Sequence, residues 1–185
     1  NEIAHSERLV IRIREGDEVA FDRLFRLCYG PLVDFAHRYV PSREDAEEAI
    51  TDLFMRIWET RTRWEVHGAI TPYLFAAARN RALNVRAARE AHDRHYAHLQ
   101  TSLEANTEAI EFDPLLAIDA TELSAPVRRA LQALSPRSRE VFLLTQRDGL
   151  SIREAAGALG VSASTVQTQL ARALNALRRT LAPPQ

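Results

Sequence analysis

The sequence predicts an all-helical protein made of two small helical domains joined by an acidic linker. Apolar residues recur at three- and four-residue spacing along most of the chain, and the strict alternation typical of strands is absent. Glycine and proline, which interrupt helices, number only 6 and 8 among 185 residues. The periodicity predicts helices over residues 6–15, 18–39, 43–60, 71–97, 125–133, 136–147, 151–158 and 162–181.

Charge is distributed in four alternating blocks, although the net charge of the whole chain is only −1. Residues 1–59 contain 8 arginines and 13 acids, and residues 60–98 contain 7 and 3. Residues 99–126 contain no arginine and 6 acids, whereas residues 127–185 contain 9 and 3. Two basic blocks separated by an acidic one indicate two nucleic-acid surfaces with a solvated spacer between them.

The acidic spacer sets the predicted domain boundaries. The segment 99–124 is polar, acidic and interrupted by Pro114, which is typical of a flexible linker. It divides the chain into an amino-terminal domain, residues 1–98, and a carboxy-terminal domain, residues 125–185. A flexible linker of this length has a typical span of about 30 Å and a maximum of about 90 Å, so each domain can reach its own site.

Helix start signals are clear in the carboxy-terminal domain. Ser135 directly precedes a proline, which combines an N-cap oxygen with proline at the first helical position. Ser151 and Glu154 fit a capping box. Gly160 then allows a turn with a positive φ angle before a helix that Ser162 caps. A capped helix, a glycine turn and a second capped helix predict a helix-turn-helix.

The second helix of this motif carries no charge in its first two turns. Val161, Val166 and Leu170 are predicted to pack between the two helices, and a helical hairpin that binds no DNA could use them in the same way. If the motif binds DNA, neutral side chains can still read base edges. The side chains facing DNA would be Ser164, Gln167, Thr168 and either Ala171 or Arg172. The candidate phosphate contacts are Arg137, Arg139, Arg147, Arg153, Arg172, Arg178 and Arg179.

In the amino-terminal domain, an acidic amphipathic helix precedes an aromatic loop and an arginine-rich helix. The helix 43–60 buries an apolar stripe and leaves its carboxylates outside, where the simplest interpretation is a solvated face. The next stretch interleaves aromatic residues with Arg and Asn, which can stack on and hydrogen-bond an unpaired base. Residues such as Trp64 and Tyr73 are more often part of the core than a platform for bases, so this motif alone indicates nucleic-acid binding only weakly.

The order of these motifs resembles the extracytoplasmic-function σ factors of bacterial RNA polymerase. The stretches that carry the resemblance are DAEEAITDLFMRIWE, ITPYLFAAARNRALN and LQALSPRSREVFLLTQRDGLSIREAAGALGVSASTVQTQLARALNALR, within residues 18–181. The resemblance implies that the first domain, σ2, binds the clamp of core RNA polymerase and melts the −10 element of promoter DNA. It implies that the second, σ4, binds the −35 major groove and the polymerase flap.

The resemblance also implies roles for individual residues. The polymerase clamp would be bound by Asp45, Glu48, Asp52 and Arg56. The −10 strand would be bound by Trp64, Asn80, Arg81 and Asn84. The −35 duplex would be bound by Ser164, Gln167, Thr168 and Arg172. The chain departs from the family at Gln167 and Gln169, where arginine is common, and this departure bears on the −35 sequence. An anti-σ factor is a further implied partner.

Two other classes of protein compete with this interpretation. A helix-turn-helix transcriptional regulator that is not a polymerase subunit would need a ligand pocket or a self-complementary apolar face, whereas residues 43–98 offer acidic and Arg/Asn-rich faces. An enzyme would need a phosphate loop or a nucleophile with its partners; none is visible, so no catalytic residue and no cofactor are predicted. His92, His95 and His98 recur every third residue, but a metal site would also want a carboxylate or cysteine partner, and none is predicted.

The predicted compartment is the cytoplasm. Cys28 is the single cysteine, so no internal disulfide can form, which suits a reducing environment. No apolar run approaches the roughly 18 residues that a spanning helix needs, so no membrane insertion is predicted.

Overall fold

Helices make up the fold of the computed structural model, which describes residues 2–66, 68–100 and 124–181. No strand occurs in these ranges, so the predicted all-helical class is confirmed. The predicted acidic linker lies almost entirely outside the described residues. The helices are α1 Glu2–Arg14, α2 Glu18–Ala36, α3 Arg43–Glu59, α4 Ile70–Gln100, α5 Ala125–Gln132, α6 Pro136–Gln146, α7 Ile152–Leu159 and α8 Ala163–Leu181, with a 3₁₀ turn Arg61–Arg63 before α4.

Side-chain caps fix where several helices begin. Asp17 Oδ1 accepts a hydrogen bond from the backbone N–H of Ala20 at 2.9 Å and starts α2. Ser42 Oγ accepts from the N–H of Asp45 at 3.1 Å and starts α3. Ser135 caps α6, whose first residue is the proline that the sequence places there. Each cap satisfies an amide that would otherwise lack a partner in the first turn, so these starts coincide with the predicted ones.

The second helix ends at Ala36, three residues before its predicted end. The chain then forms tight turns, in which the N–H of Arg38 donates to Phe35 O at 3.2 Å and that of Tyr39 to Ala36 O at 2.8 Å. Pro41 follows closely and disfavours a continued helix in the residue before it. These turns carry Arg38 and Tyr39 toward residues of the carboxy-terminal part of the chain, to which both bond.

One continuous hydrophobic core joins the two ends of the sequence. It contains Phe35, Phe54 and Leu74 from α2–α4 together with Leu144 and Val166 from α6 and α8. A second, smaller core joins α5, α6 and α8. The residues before and after the predicted linker, here called the amino-terminal module (residues 2–100) and the carboxy-terminal module (residues 124–181), therefore pack directly on each other. The sequence did not predict this contact.

The contact between the modules is formed chiefly by α7 lying against α4. A Cβ atom placed on Gly157 would lie 3.4 Å from Cβ of Pro72, so α7 approaches α4 closely where it carries no side chain. Polar residues surround this apolar contact. We define the inter-module interface as Arg38, Tyr39, Pro72 and Arg79 of the amino-terminal module with Glu140, Asp148 and Gly157 of the carboxy-terminal module.

Candidate DNA and polymerase interfaces

The predicted helix-turn-helix is formed by α7, a glycine turn and α8. Ser151 Oγ accepts from the N–H of Glu154, and the Glu154 carboxylate accepts from the N–H of Ser151 at 2.8 Å, so the capping box is complete. Gly160 adopts φ 63° and ψ 36°, the left-handed conformation that glycine reaches without steric cost. Ser162 Oγ accepts from the N–H of Thr165 at 3.1 Å and caps α8. The local geometry of the motif is therefore the one that the sequence predicts.

The first half of α8 presents a polar face to solvent. Val166 is fully buried against the core, so the side of α8 that carries it faces inward. The residues predicted to face the −35 duplex are all exposed, and they are Ser164, Gln167, Thr168 and Arg172. The Thr168 hydroxyl donates to the Ser164 carbonyl at 2.9 Å, which leaves its oxygen lone pairs available as acceptors.

Gln169 has a packing role that sequence reasoning missed. Its side chain is half-buried, and its Oε1 accepts a hydrogen bond of 2.7 Å from the buried Ser138 hydroxyl. The bond ties α8 to α6. An arginine at this position could not accept from Ser138, because a guanidinium has only donors. Of the two glutamines that depart from the family, only Gln167 therefore lies on the exposed face.

Arg139 corrects the list of candidate phosphate contacts. It is 6% exposed, and it donates from Nε to Leu131 O at 2.8 Å and from Nη2 to Gln132 O at 2.8 Å and Leu134 O at 3.0 Å. These carbonyls lie at the end of α5 and just beyond it, where helices leave acceptors without intrahelical partners. Arg139 therefore joins α6 to α5 and cannot reach DNA in this structure. By contrast, Arg153, Arg172, Arg178 and Arg179 are exposed.

Two predicted −10 residues share an exposed face of α4. Asn80 and Asn84 are one helical turn apart, and both side chains are exposed. Arg81 lies beside them but is half-buried and forms an ion pair with Asp52 of α3. A residue predicted to bind the −10 strand is thus paired with one predicted to bind the polymerase clamp.

Trp64 lies in the core, contrary to the prediction that it faces the −10 strand. Its side chain is 5% exposed, and its ring centroid lies 6.0 Å from that of Tyr73. Its indole Nε1 is buried without a hydrogen-bond partner. A base can stack only on an accessible ring, so in this structure Trp64 packs the loop before α4 against the amino-terminal core. The apolar area of the indole explains this placement.

The residues predicted to bind the polymerase clamp differ in their exposure and in whether their side chains already form hydrogen bonds or ion pairs. Glu48 and Arg56 are exposed on α3. Asp45 is occupied: its side chain accepts from the Ser42 hydroxyl at 2.6 Å and from Arg89 Nη1 at 2.5 and 2.7 Å. Asp52 is paired with Arg81 of α4. Glu48 and Arg56 can therefore bind a partner directly, whereas Asp45 and Asp52 would first have to break their present bonds.

An ion pair that is almost fully buried crosses the inter-module interface. Arg38 Nη1 and Nη2 donate to the two carboxylate oxygens of Asp148 at 2.7 and 2.5 Å, and the two side chains are 3% and 10% exposed. The bidentate geometry is the strong form of an arginine–carboxylate pair. Breaking a buried pair by removing one partner typically costs about 3–5 kcal/mol, because the other charge stays buried.

A second polar cluster lies beside this pair. The Tyr39 hydroxyl donates to Glu140 Oε1, which also accepts from Arg79 Nε at 3.3 Å, while Arg137 donates to the other oxygen at 2.8 Å. The Arg79 guanidinium lies 5.5 Å from the centroid of the Tyr39 ring. Burial, together with the negative charge of Glu140, raises the pKa of Tyr39 well above its usual value. Tyr39 therefore remains a hydrogen-bond donor throughout the neutral range.

The remaining candidate groups contribute little to these surfaces. His92 is exposed, and the side chains of His95 and His98 lie outside those that the structure describes. Across the described ranges, no group of three or more His, Cys, Asp or Glu residues is arranged to hold a metal ion. Burial raises the pKa of the half-buried Cys28 thiol. None of the described helices is long and apolar enough to cross a membrane.

The fold and these surfaces define a helical protein with a helix-turn-helix module and a second module that carries an acidic and an Arg/Asn-rich face. Two family models match the two modules. Sigma-70 region 2 matches residues 24–92, and Sigma-70, region 4 matches residues 124–177.

Relatives along nearly the whole chain agree. The RNA polymerase sigma-E factor of Streptomyces coelicolor is 31% identical over 169 residues, 90% of this chain and 88% of its own. The ECF RNA polymerase sigma factor SigM of Mycobacterium tuberculosis is 29% identical over 185 residues, 98% and 86% of the two chains. A solved structure of the sigma factor RpoE with the anti-sigma factor NepR from Bartonella quintana has the same fold, with a TM-score of 0.58 and 21% identity over 89% of this chain and 98% of that one.

The chain belongs to the extracytoplasmic-function σ factors of the σ70 family. It is an alternative σ factor, a transcription initiation factor that directs RNA polymerase to promoters. The alternative interpretation, a helix-turn-helix regulator that is not a polymerase subunit, is wrong.

Proposed function

We propose that this chain binds the clamp of core RNA polymerase through α3, the −10 strand through α4 and the −35 duplex through α8. The observation that carries the proposal is the exposed polar face of α8, where Gln167 and its neighbours lie opposite the buried Val166. A helix of this kind fits the major groove, and glutamine can form a bidentate pair with adenine. Neutral residues at the centre then supply sequence preference, while surrounding arginines supply phosphate contacts.

For the amino-terminal module, the proposal rests on two exposed faces. Asn80 and Asn84 lie free on α4 and can hydrogen-bond the edges of unpaired bases. Glu48 and Arg56 lie free on α3 and can pair with charges on the clamp. We omit Trp64 from the strand contacts because it is buried, and we retain Arg81, Asp45 and Asp52 only as residues that must first exchange their present partners.

The predicted domain boundaries and the remaining partners belong to the same proposal. The boundaries 1–98, 99–124 and 125–185 assign one promoter element to each module, and the second module would also bind the polymerase flap. An anti-σ factor is proposed from family membership, since the structural relative from Bartonella quintana was solved with one. The chain would act in the cytoplasm, where core polymerase is found, and would carry out no reaction of its own.

The most direct test is run-off transcription with bacterial core polymerase. We expect the chain to start transcripts at discrete promoters that core polymerase alone does not use, and to have little affinity for duplex DNA by itself. Weak binding by the free chain is expected because only the carboxy-terminal module contacts duplex DNA. Without polymerase, that module relies on a few phosphate contacts. Tight and specific footprints made by the free chain, with no stimulation of core polymerase, would refute the proposal.

The α8 face can be tested by changing base preference. Gln167→Arg should shift the preferred base at one −35 position from adenine to guanine, with about 1–3 kcal/mol of discrimination. Arg172→Ala should instead weaken all promoters alike and lower the salt slope by roughly one. The measurement is holoenzyme binding to a library of −35 sequences at several salt concentrations.

The matched control for Gln167→Arg is Gln132→Arg, which adds the same charge at an exposed position of α5. This control should strengthen binding without changing the preferred base. If Gln167→Arg keeps the parental preference, α8 does not read sequence at that position.

A further inference from the structure

The carboxy-terminal module places two of its few acids against the other module. It contains nine arginines but only three acidic residues, Glu140, Asp148 and Glu154. Glu154 closes the capping box of α7. The other two meet arginines of the amino-terminal module, since Asp148 pairs with Arg38 and Glu140 pairs with Arg79. In a module that binds a polyanion, each acid weakens long-range attraction, so this placement calls for a specific reason.

Arg38 has the geometry of an anion-binding residue. Its two terminal nitrogens hold one carboxylate in a bidentate fork, and its Nε is buried without a hydrogen-bond partner. A guanidinium binds phosphate oxygens in the same fork. If the carboxy-terminal module moved away from it, Arg38 could bind a phosphate group through the same two nitrogens that now hold Asp148.

Arg79 extends this cationic region along α4. A cavity of 300 Å³ at the inter-module interface has three arginines in its lining, Arg79, Arg86 and Arg137, against one carboxylate, Glu140. Arg79 directly precedes Asn80 on α4. Arg79 is therefore the neighbour in sequence of a residue proposed to bind the −10 strand. Arg38 is linked to Arg79 through the adjacent Tyr39, which donates to the same Glu140 oxygen as Arg79.

The closed arrangement cannot serve both promoter elements at once. A compact chain of this length is about 40 Å across. The −10 and −35 elements are separated by about 25 base pairs, or about 85 Å of duplex at about 3.4 Å per base pair. Binding both elements therefore requires the modules to separate, and separation removes Glu140 and Asp148 from the arginines that they cover.

We propose that Glu140 and Asp148 take the place of nucleic-acid phosphates in the free chain, and that Arg38 and Arg79 bind the backbone of the unpaired promoter strand once the modules separate. This inference rests on the proposed function, because the strand is the one bound at Asn80 and Asn84. The ligand is the phosphate backbone of single-stranded DNA. An internal carboxylate and a phosphate compete for each guanidinium, so the closed chain binds the strand weakly.

The first test removes the two charges and keeps their shape. We expect Glu140→Gln/Asp148→Asn to raise the affinity of the free full-length chain for a short mixed-sequence single-stranded DNA about tenfold, measured by fluorescence anisotropy. The salt slope should steepen by about 1.4, because two more phosphates are neutralised at about 0.7 each. The matched control is Glu15→Gln/Asp22→Asn, which makes the same charge change at positions away from the inter-module interface.

The gain should depend on the two arginines. In the Glu140→Gln/Asp148→Asn background, adding Arg38→Gln/Arg79→Gln should abolish it. Adding Arg23→Gln/Arg26→Gln, which removes two exposed arginines of α2, should leave most of it. An affinity and salt slope equal to those of Glu15→Gln/Asp22→Asn would overturn the proposal.

A second test separates the modules without changing charge. Alanine fits at Gly157, whereas phenylalanine would collide with Pro72 and push α7 away from α4. We expect Gly157→Phe, but not Gly157→Ala, to enlarge the radius of gyration in small-angle scattering and to raise single-stranded DNA affinity. A separated chain whose affinity stays at that of Gly157→Ala would overturn the proposal. Circular dichroism shows whether each variant retains its helices.

These outcomes are distinct from those of the run-off assay. The anisotropy measurements contain no polymerase, so they can fail while the chain still starts transcripts at promoters. Conversely, the chain could fail to stimulate core polymerase in the run-off assay while its variants still gain affinity for single-stranded DNA. That result would overturn the proposed function but not the phosphate site.

Discussion

Replacing Arg139 with alanine is expected to destabilise the carboxy-terminal module rather than remove one DNA contact. The side chain is buried and donates three hydrogen bonds to the carbonyls of Leu131, Gln132 and Leu134. Hydrogen bonds from charged groups contribute about 1.5–3 kcal/mol each, and the carbonyls left behind lose a donor. We expect the free energy of unfolding to fall by about 3–5 kcal/mol, which urea titrations followed by circular dichroism would measure.

The matched control for this change is Arg178→Ala, which removes an exposed arginine of α8. Its unfolding free energy should stay within about 0.5 kcal/mol of the parent. If the Arg139→Ala chain is as stable as the parent and its salt slope for promoter binding is lower, Arg139 contacts a phosphate after all.

The second large effect is expected on polymerase binding. Glu48→Arg reverses a charge that is exposed on α3, so it should leave the fold intact and weaken binding to core polymerase by a few kcal/mol if the clamp presents a cation there. A solvated surface charge, by contrast, contributes well under about 1 kcal/mol. Competition binding to core polymerase, together with thermal unfolding of the free chain, separates the two cases.

Asp22→Arg is the matched control, since Asp22 is exposed on α2 and forms only a surface ion pair with Arg26. Reversal at Asp52 is a poorer test, because Asp52 pairs with Arg81 and its reversal would disturb α4 as well. If Glu48→Arg binds core polymerase as tightly as Asp22→Arg does, α3 does not bind the clamp through Glu48.

Sequence alone was sufficient for features that depend on neighbouring residues. The caps at Ser135, Ser151 and Ser162 and the left-handed turn at Gly160 require only residues within a few positions, and the structure confirms each of them. The same holds for the polar face of α8, because helical spacing puts Val166 on the opposite side.

What sequence could not predict depends on residues far apart in the chain. Arg38 and Asp148 are separated by 110 positions, and no local pattern links them. In the sequence, Arg139 cannot be distinguished from the other arginines of this basic domain. Only the structure shows that it bonds the carbonyls at the end of α5. Trp64 belongs to a residue type found more often in cores than on base-stacking surfaces. The family resemblance nevertheless assigned it to the −10 strand, and its burial near Tyr73 is seen only in the structure.

If the modules must separate to bind both promoter elements, the contact of α7 with α4 makes the concentration of active protein lower than its total concentration. A partner that binds only separated modules encounters only the fraction of chains that are open at that moment, and its apparent dissociation constant is the intrinsic one divided by this fraction. Every 1.4 kcal/mol of net stability in the closed form thus weakens apparent binding about tenfold. We therefore expect substitutions at Pro72 or Gly157 to change promoter output at constant protein level, although neither residue is proposed to touch DNA or polymerase.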